Sequence, residues 1–158
     1  MRPIERILTT ALASFQRVTA KIPRNSWFCT YSLQKESAPT PYLTRTLFPR
    51  FLGHRLMLHH IHQPDRDEHP HDHPWETAYG FILNGGYGEV RQDVATSPQA
   101  HVYFEGDINR LETGIFHRIV HVLPNTWTLF LAGKPTDDWG FLVDGEKIAH
   151  EPYIRAHP

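Results

Sequence analysis

Between residues 55 and 143 the sequence is a succession of short β-prone runs separated by turn residues, with no helical pattern between them. The runs fall at 55–62, 77–83, 87–94, 101–105, 108–111, 116–123, 127–132 and 141–143. Many strands at such close spacing, without crossover helices, predict a two-sheet sandwich or closed barrel. Asn84-Gly85-Gly86 reads as a hairpin turn, because asparagine and glycine accept the positive φ that tight turns require. Asp144-Gly145 reads as a second turn.

Two segments stand outside this pattern. Ile4, Ile7, Leu8, Ala11, Leu12, Phe15 and Val18 recur at helical spacing, and Pro23 closes the run. The same stretch carries Arg2, Arg6 and Arg17 with Glu5 as its only acid, so a transit peptide stands beside the amphipathic helix as a reading. Residues 24–49, interrupted by Pro39, Pro41 and Pro49, read as an irregular wrapping arm. The expected organisation is a helix and arm over 1–54 packed on a barrel over 55–158, one structural domain in all.

The chain's 158 residues, 40% of them hydrophobic and 21% charged, suffice for one buried core and argue against disorder. Sixteen basic residues against seventeen acidic ones leave a net charge of -1, so no global field draws in nucleic acid or an anionic membrane. No apolar run reaches the ~18 residues of a membrane span. Cys29 is the only cysteine, and a reducing, cytoplasmic setting is the default expectation.

Twelve histidines are many for this length, and their placement is more informative than their number. His69, His71 and His73 alternate along His69-Pro70-His71-Asp72-His73-Pro74-Trp75. In an extended segment residues i and i+2 share a face about 7 Å apart, so two imidazoles can converge on one ion. Imidazole suits zinc, iron, nickel and copper alike. A histidine-rich surface loop without metal gives the same string.

A second segment, Gly106 to His117, brings in a resemblance. Gly106, Gly114 and His117 fall on the two glycines and the histidine of the second cupin motif, while Glu112 and His121 stand at its proline and asparagine. Gly114 suits a turn that aims the next strand's histidine inward. His71, His73 and Gly85 fall on the first cupin motif, with Asp65 at its opening glycine and Ala78 at its glutamate ligand. Residues 55–143 thus resemble the cupin superfamily, and the string His71-Asp72-His73-Pro74-Trp75 is similar to one in small bacterial and phage-associated cupins.

The resemblance implies an all-β jelly roll, the double-stranded β-helix, holding one divalent transition metal on His71, His73 and His117. Iron comes first, with zinc, nickel, manganese and copper as alternatives. Glu76, two positions before Ala78, could serve as a substitute ligand or general base, or could be a solvated carboxylate. His121, four residues beyond His117, is expected to be a core histidine or one supporting the ligands. His59 and His62 are expected in structural hydrogen bonds, and Arg55, Arg110 and Arg118 are candidates for holding a substrate carboxylate.

The functional expectation is an oxygenase-type enzyme acting on a small organic molecule. A non-catalytic binding or sensing module and a sugar isomerase or epimerase are the alternatives. The apolar face Tyr79, Phe81 and Leu83 needs cover, either from the helix and arm or from a second subunit in a homodimer.

Overall fold

The computed structural model describes residues 3–33, 40–136 and 139–157. Its elements are α1 (Pro3–Thr19), β1 (Cys29–Leu33), β2 (Leu43–Phe51), β3 (His54–Ile61), β4 (Thr77–Asn84), β5 (Gly86–Gln92), β6 (Gln99–Phe104), β7 (Ile108–Glu112), β8 (Phe116–Val122), β9 (Thr126–Ala132), β10 (Gly140–Val143), β11 (Glu146–Ala149) and α2 (His150–Ala156). The strands make two layers of antiparallel sheet, an all-β jelly roll. One layer has the order β1-β2-β3-β9-β4-β7; the other consists of β6-β5-β8 and the hairpin β10-β11.

The two parts of the second layer are joined by one residue. His71 forms antiparallel bridges to His117 of β8 on one side and to Phe141 of β10 on the other. Its N–H donates to the His117 carbonyl at 2.9 Å, and the His117 N–H donates back to its carbonyl at 2.8 Å. The flanking bonds, Asp72 N–H to Gly140 O at 3.0 Å and Leu142 N–H to Pro70 O at 2.9 Å, complete the seam on the β10 side.

The core lies between the layers. Met57, Ala78, Leu111, Phe130 and Ala132 form one buried cluster, and Ile61, Ile82 and Tyr87 a second. Ala78, Gly80 and Ile82 are buried along β4, while Tyr79, Phe81 and Leu83 on its other face are more exposed, as period-2 alternation requires.

Two expectations need correction. Asn84-Gly85-Gly86 does not close a hairpin: β4 pairs with β7 and β9, and β5 with β6 and β8, so the turn carries the chain from one layer to the other. Gly85 has φ 73°, and a Cβ there would stand 2.9 Å from the Cα of Thr126. The arm is also not irregular, since β1 and β2 extend the first sheet beyond β3. Pro49 is tolerated inside β2 because the β2–β3 register shifts between Leu47 and Arg50, where no ladder N–H is required. Pro39 lies outside the described residues.

Helix α1 spans Pro3–Thr19. It forms as the periodicity predicts, but it buries Thr9, Gln16 and Thr19, while Ile4, Ile7 and Val18 are 79%, 70% and 66% exposed. Gln16 Nε2 donates to the carbonyls of Thr44 and Leu58, both at 3.4 Å, and the hydroxyls of Thr19, Thr30 and Thr46 form a chain at 2.5 and 2.7 Å. These bonds satisfy groups that would be costly to bury unpaired and so favour docking by the polar face. From the apolar stripe Phe15 reaches Phe28 and Phe48, each at 6.2 Å between ring centroids. None of the described helices is long and apolar enough to cross a membrane.

Gly140, at the seam of the second layer, should be the least replaceable glycine of the β10–β11 hairpin. A Cβ on it would stand 2.2 Å from the Ile148 carbonyl oxygen, whereas one on Gly88 meets nothing closer than 3.7 Å. Gly140→Ala is therefore expected to lower stability in urea unfolding by about 1–3 kcal/mol, the usual cost of overpacking. Gly88→Ala should stay near wild type. Equal effects would contradict this reading of the seam.

Candidate metal centre

The convergence of the three histidines follows from the backbone. His71 and His117 are directly opposed across an antiparallel bridge, so their side chains leave the sheet on one face. His73, two residues further on, returns to that face. The ring centroids of His71 and His117 are 5.0 Å apart, those of His73 and His117 4.9 Å, and those of His71 and His73 5.1 Å. One ring nitrogen from each lies within 4.8 Å of the others, close enough to share one ion.

The protonation pattern suits an ion. His117 Nδ1 faces the Glu89 carboxylate at 2.9 Å, which places its proton there and leaves the Nε2 lone pair facing inward. Nε2 of His73 lies 2.8 Å from that same atom. The Nδ1 of His71 is buried without a hydrogen-bond partner among the described residues, which is costly for a polar atom. Burial lowers His71, against the opposing field of Asp65. Burial and then the neighbouring His117 hold His73 well below the usual histidine range. Both are neutral at physiological pH, the form that binds metals.

Two buried carboxylates hold this arrangement, and neither was identified from the sequence. Asp72, between the two histidines, points to the other side of the segment. Its Oδ1 accepts the Gly140 N–H and its Oδ2 accepts Lys147 Nζ, at 2.7 and 2.8 Å. Glu89 on β5 is 1% exposed and accepts hydrogen bonds from His117, Arg91 and Asn109. Arg91 also donates to Asn109 and to the Arg110 carbonyl, and Asn109 donates to the Tyr87 hydroxyl at 2.7 Å. Burial alone would raise the Glu89 carboxyl, but the hydrogen bond from His117 and the bond and charge of Arg91 outweigh it and hold the group below its ordinary value. The visible signal for Glu89 was a lone acid with Arg91 on the same face of an otherwise apolar and glycine-rich strand.

The histidines face a cavity of about 140 Å³ between the layers. Aromatic side chains form much of its wall, including Tyr42, Trp75, Phe130, Trp139 and Phe141, and Gly80 leaves space beside Phe130. Arg45 and His59 enter from β2 and β3, and Asp65 and Asp67 also line it.

The other candidate residues lie elsewhere. Glu76 is exposed, lies outside the histidine cluster and lines a separate depression with His54 and Lys134. Ala78, at the motif's glutamate position, packs in the core. His121 is exposed rather than beside His117, because the β5–β8 register shifts between Gly88 and Glu89 and turns it to the outer surface. His59 is buried and bonded to Arg45, whereas His62 bonds Thr44 in an exposed position. None of Arg55, Arg110 and Arg118 lines the cavity. Asp65, at the motif's opening glycine, bonds Ile119 with both its backbone N–H and its carboxylate, at 2.9 and 2.8 Å. Gly114 has φ 81°, as a turn into β8 requires.

No protein-family model matches the sequence, and no curated protein matches it. The structure is similar to Streptomyces albus HEPD, solved with Fe(II) and its substrate 2-hydroxyethylphosphonate, at TM-score 0.54 and 14% identity over 68% of this chain and 24% of that one. It is also similar to Fe(II) HppE, at TM-score 0.51 and 11% identity over 70% of this chain and 58% of that one. The chain therefore spans only part of the length of each. At these identities the likeness is one of fold, and it is the cupin-type jelly roll. The class the fold and site define is thus a cupin-like barrel with a three-histidine cluster.

The neutral histidines make stability depend on pH. Burial and then the charge of Arg45 also hold His59 well below the usual range. Below about 6.5, the reference value, the unfolded chain binds protons that native His59, His71 and His73 refuse. Stability is thus fully present above about 6.5 and is lost as pH falls towards the depressed native values. The thermal midpoint of chelator-treated protein should fall as pH is lowered from about 8 to about 5, and His59→Gln should reduce that slope. A midpoint that is level over this range would contradict the neutral assignment.

Proposed function

We propose that this chain is a metal-dependent cupin that holds one divalent transition metal on His71, His73 and His117 and acts, as an oxygenase-type enzyme, on a small organic molecule in the adjoining cavity. The observation that carries this reading is the convergence of three imidazoles on one point, a ring nitrogen of each lying within 4.8 Å of the others. Iron is the favoured metal: an all-imidazole set that leaves positions open suits iron(II), and HEPD and HppE, which share the fold, were solved with Fe(II). Iron(II) bound there would supply open coordination positions and redox chemistry with dioxygen.

The chain's own residues do the rest of the work in this scheme. Glu89 fixes the His117 tautomer and aims its Nε2 inward. Asp72 holds the His71–His73 segment against β10. The aromatic wall excludes water and presents an apolar surface to the ligand. Glu76, exposed and away from the cluster, has no part in the proposed centre.

Purified protein should contain close to one metal ion per chain, and simultaneous alanine replacement of the three histidines should abolish it. Glu89→Gln should weaken metal affinity by about 10–100-fold, as loss of a supporting hydrogen bond typically does, while Glu76→Gln leaves it unchanged. Iron-loaded protein should consume dioxygen with a substrate from a small-molecule panel. Tight ligand binding without dioxygen uptake would favour the binding-module alternative, and stoichiometric metal in the triple variant would overturn the centre.

A homodimer belongs to the same proposal. Phe81 and Ile108, opposed across β4 and β7, are 36% and 54% exposed, and Phe104 is 56% exposed. The described residues of α1 pack on β1 to β3 rather than over this face. Light scattering should give twice the chain mass, and Phe81→Glu should halve it. A concentration-independent monomer would refute the dimer.

A further inference from the structure

The cavity contains a charged group that the proposed metal centre does not use. Arg45 of β2 stands opposite His59 of β3 in register, and both side chains line the cavity. Arg45 Nε donates to His59 Nε2 at 3.1 Å. No described carboxylate pairs with this guanidinium. A half-buried guanidinium that no described carboxylate bridges, beside an aromatic wall, keeps donors available to a bound anion.

His59 gives the guanidinium a definite orientation. It is 6% exposed and stacks on Phe130 at 5.1 Å between centroids. It is neutral, so its Nε2 lone pair is available to accept from Arg45. With the Nε edge engaged, the two terminal nitrogens remain as a planar fork, the geometry that binds a carboxylate with two parallel hydrogen bonds. The two acids of the cavity limit how much negative charge it can take. Asp65 accepts the Ile119 N–H, and both Asp65 and Asp67 stay close enough to Tyr42 and His71 to contribute a negative field. One arginine against that field suits a monoanion better than a dianion.

We propose that Arg45, oriented by His59, anchors the carboxylate of a small organic acid whose planar apolar body lies against Trp75 and Phe130. The inference deepens the reading of the cavity as a substrate site and rests on it for the ligand's role as substrate, though the anion site itself needs no metal. It also separates this chain by charge from phosphonate binding, since a phosphonate carries a second negative charge near neutral pH.

Calorimetric titration with benzoate, benzamide and phenylphosphonate tests the proposal, on both chelator-treated and zinc-loaded protein near neutral pH. Benzoate is expected to bind at least about tenfold tighter than its neutral isostere benzamide, and tighter than phenylphosphonate. Arg45→Gln should reduce benzoate to the level of benzamide. Arg45→Lys, which keeps the charge but loses the fork, should retain part of the preference, and it serves as the check should Arg45→Gln fold poorly. Equal binding of benzoate and benzamide, a preference for phenylphosphonate, undiminished benzoate binding by Arg45→Gln, or no saturable benzoate binding at millimolar concentration would each overturn the anchor. A benzoate preference in the chelated protein supports the anchor even if the metal reading fails. One bound metal with no such preference leaves the metal centre standing and removes the anchor.

Discussion

The structure depends on the pair of backbone hydrogen bonds between His71 and His117. These bonds, at 2.9 and 2.8 Å, turn one residue of an otherwise irregular segment into the strand that joins β8 to β10. Without them the second layer would be two separate pieces. The same bonds put two imidazoles face to face and return a third to them two residues later. Sheet closure and histidine convergence are therefore one event, and a change that opens the seam should disturb both. Asp72 and Gly140 secure it from the other side, the first by its carboxylate and the second by having no side chain to obstruct Ile148.

Behind the histidines the protein buries an ionic network that is expensive in isolation. Glu89 and Arg91 lose hydration when they enter the interior, and such a pair is stable only when its remaining donors and acceptors are matched. Here His117, Asn109, Tyr87 and the Arg110 carbonyl provide that match. The result is rigidity in one tautomer of one histidine. A packed apolar core of equal volume would serve stability as well but would leave His117 free to rotate. The network is better understood as the device that aims a ring nitrogen than as a source of net stability.

Much of the barrel was legible because strand alternation survives tertiary context: the runs between residues 55 and 143 correspond closely to β3 to β10. What failed had local physical causes. Pro49 disguised β2, since nothing in the sequence reveals that it would fall on a register shift. Asn84-Gly85-Gly86 carried a true turn signal but no information on which strands it would pair. The helix stripe was real, yet Gln16, Thr19 and the threonines of β1 and β2 decided which face docked. At the site, the His71-x-His73 spacing and the cupin-like motif brought the three histidines into view. His121 was misplaced because a β-bulge changes inward for outward without leaving a mark in the sequence. Asp72 and Arg45 were invisible because each gains its meaning only from a partner far along the chain, and Glu89, though its place beside Arg91 on an apolar strand was a signal, gave no hint of His117.

In the proposed centre three imidazoles, and no carboxylate or thiolate, hold one ion in this barrel. X-ray absorption on the zinc-loaded protein addresses it most directly, because ligand type and distance are read from the metal itself. Three imidazole nitrogens are expected at about 2.0–2.1 Å, the usual zinc–histidine distance, with any remaining position filled by solvent oxygen. The imidazole signal should drop by one ligand when His73 is replaced by alanine. A spectrum with fewer than three imidazoles in the intact protein, or with a sulfur ligand at about 2.3 Å, would contradict it.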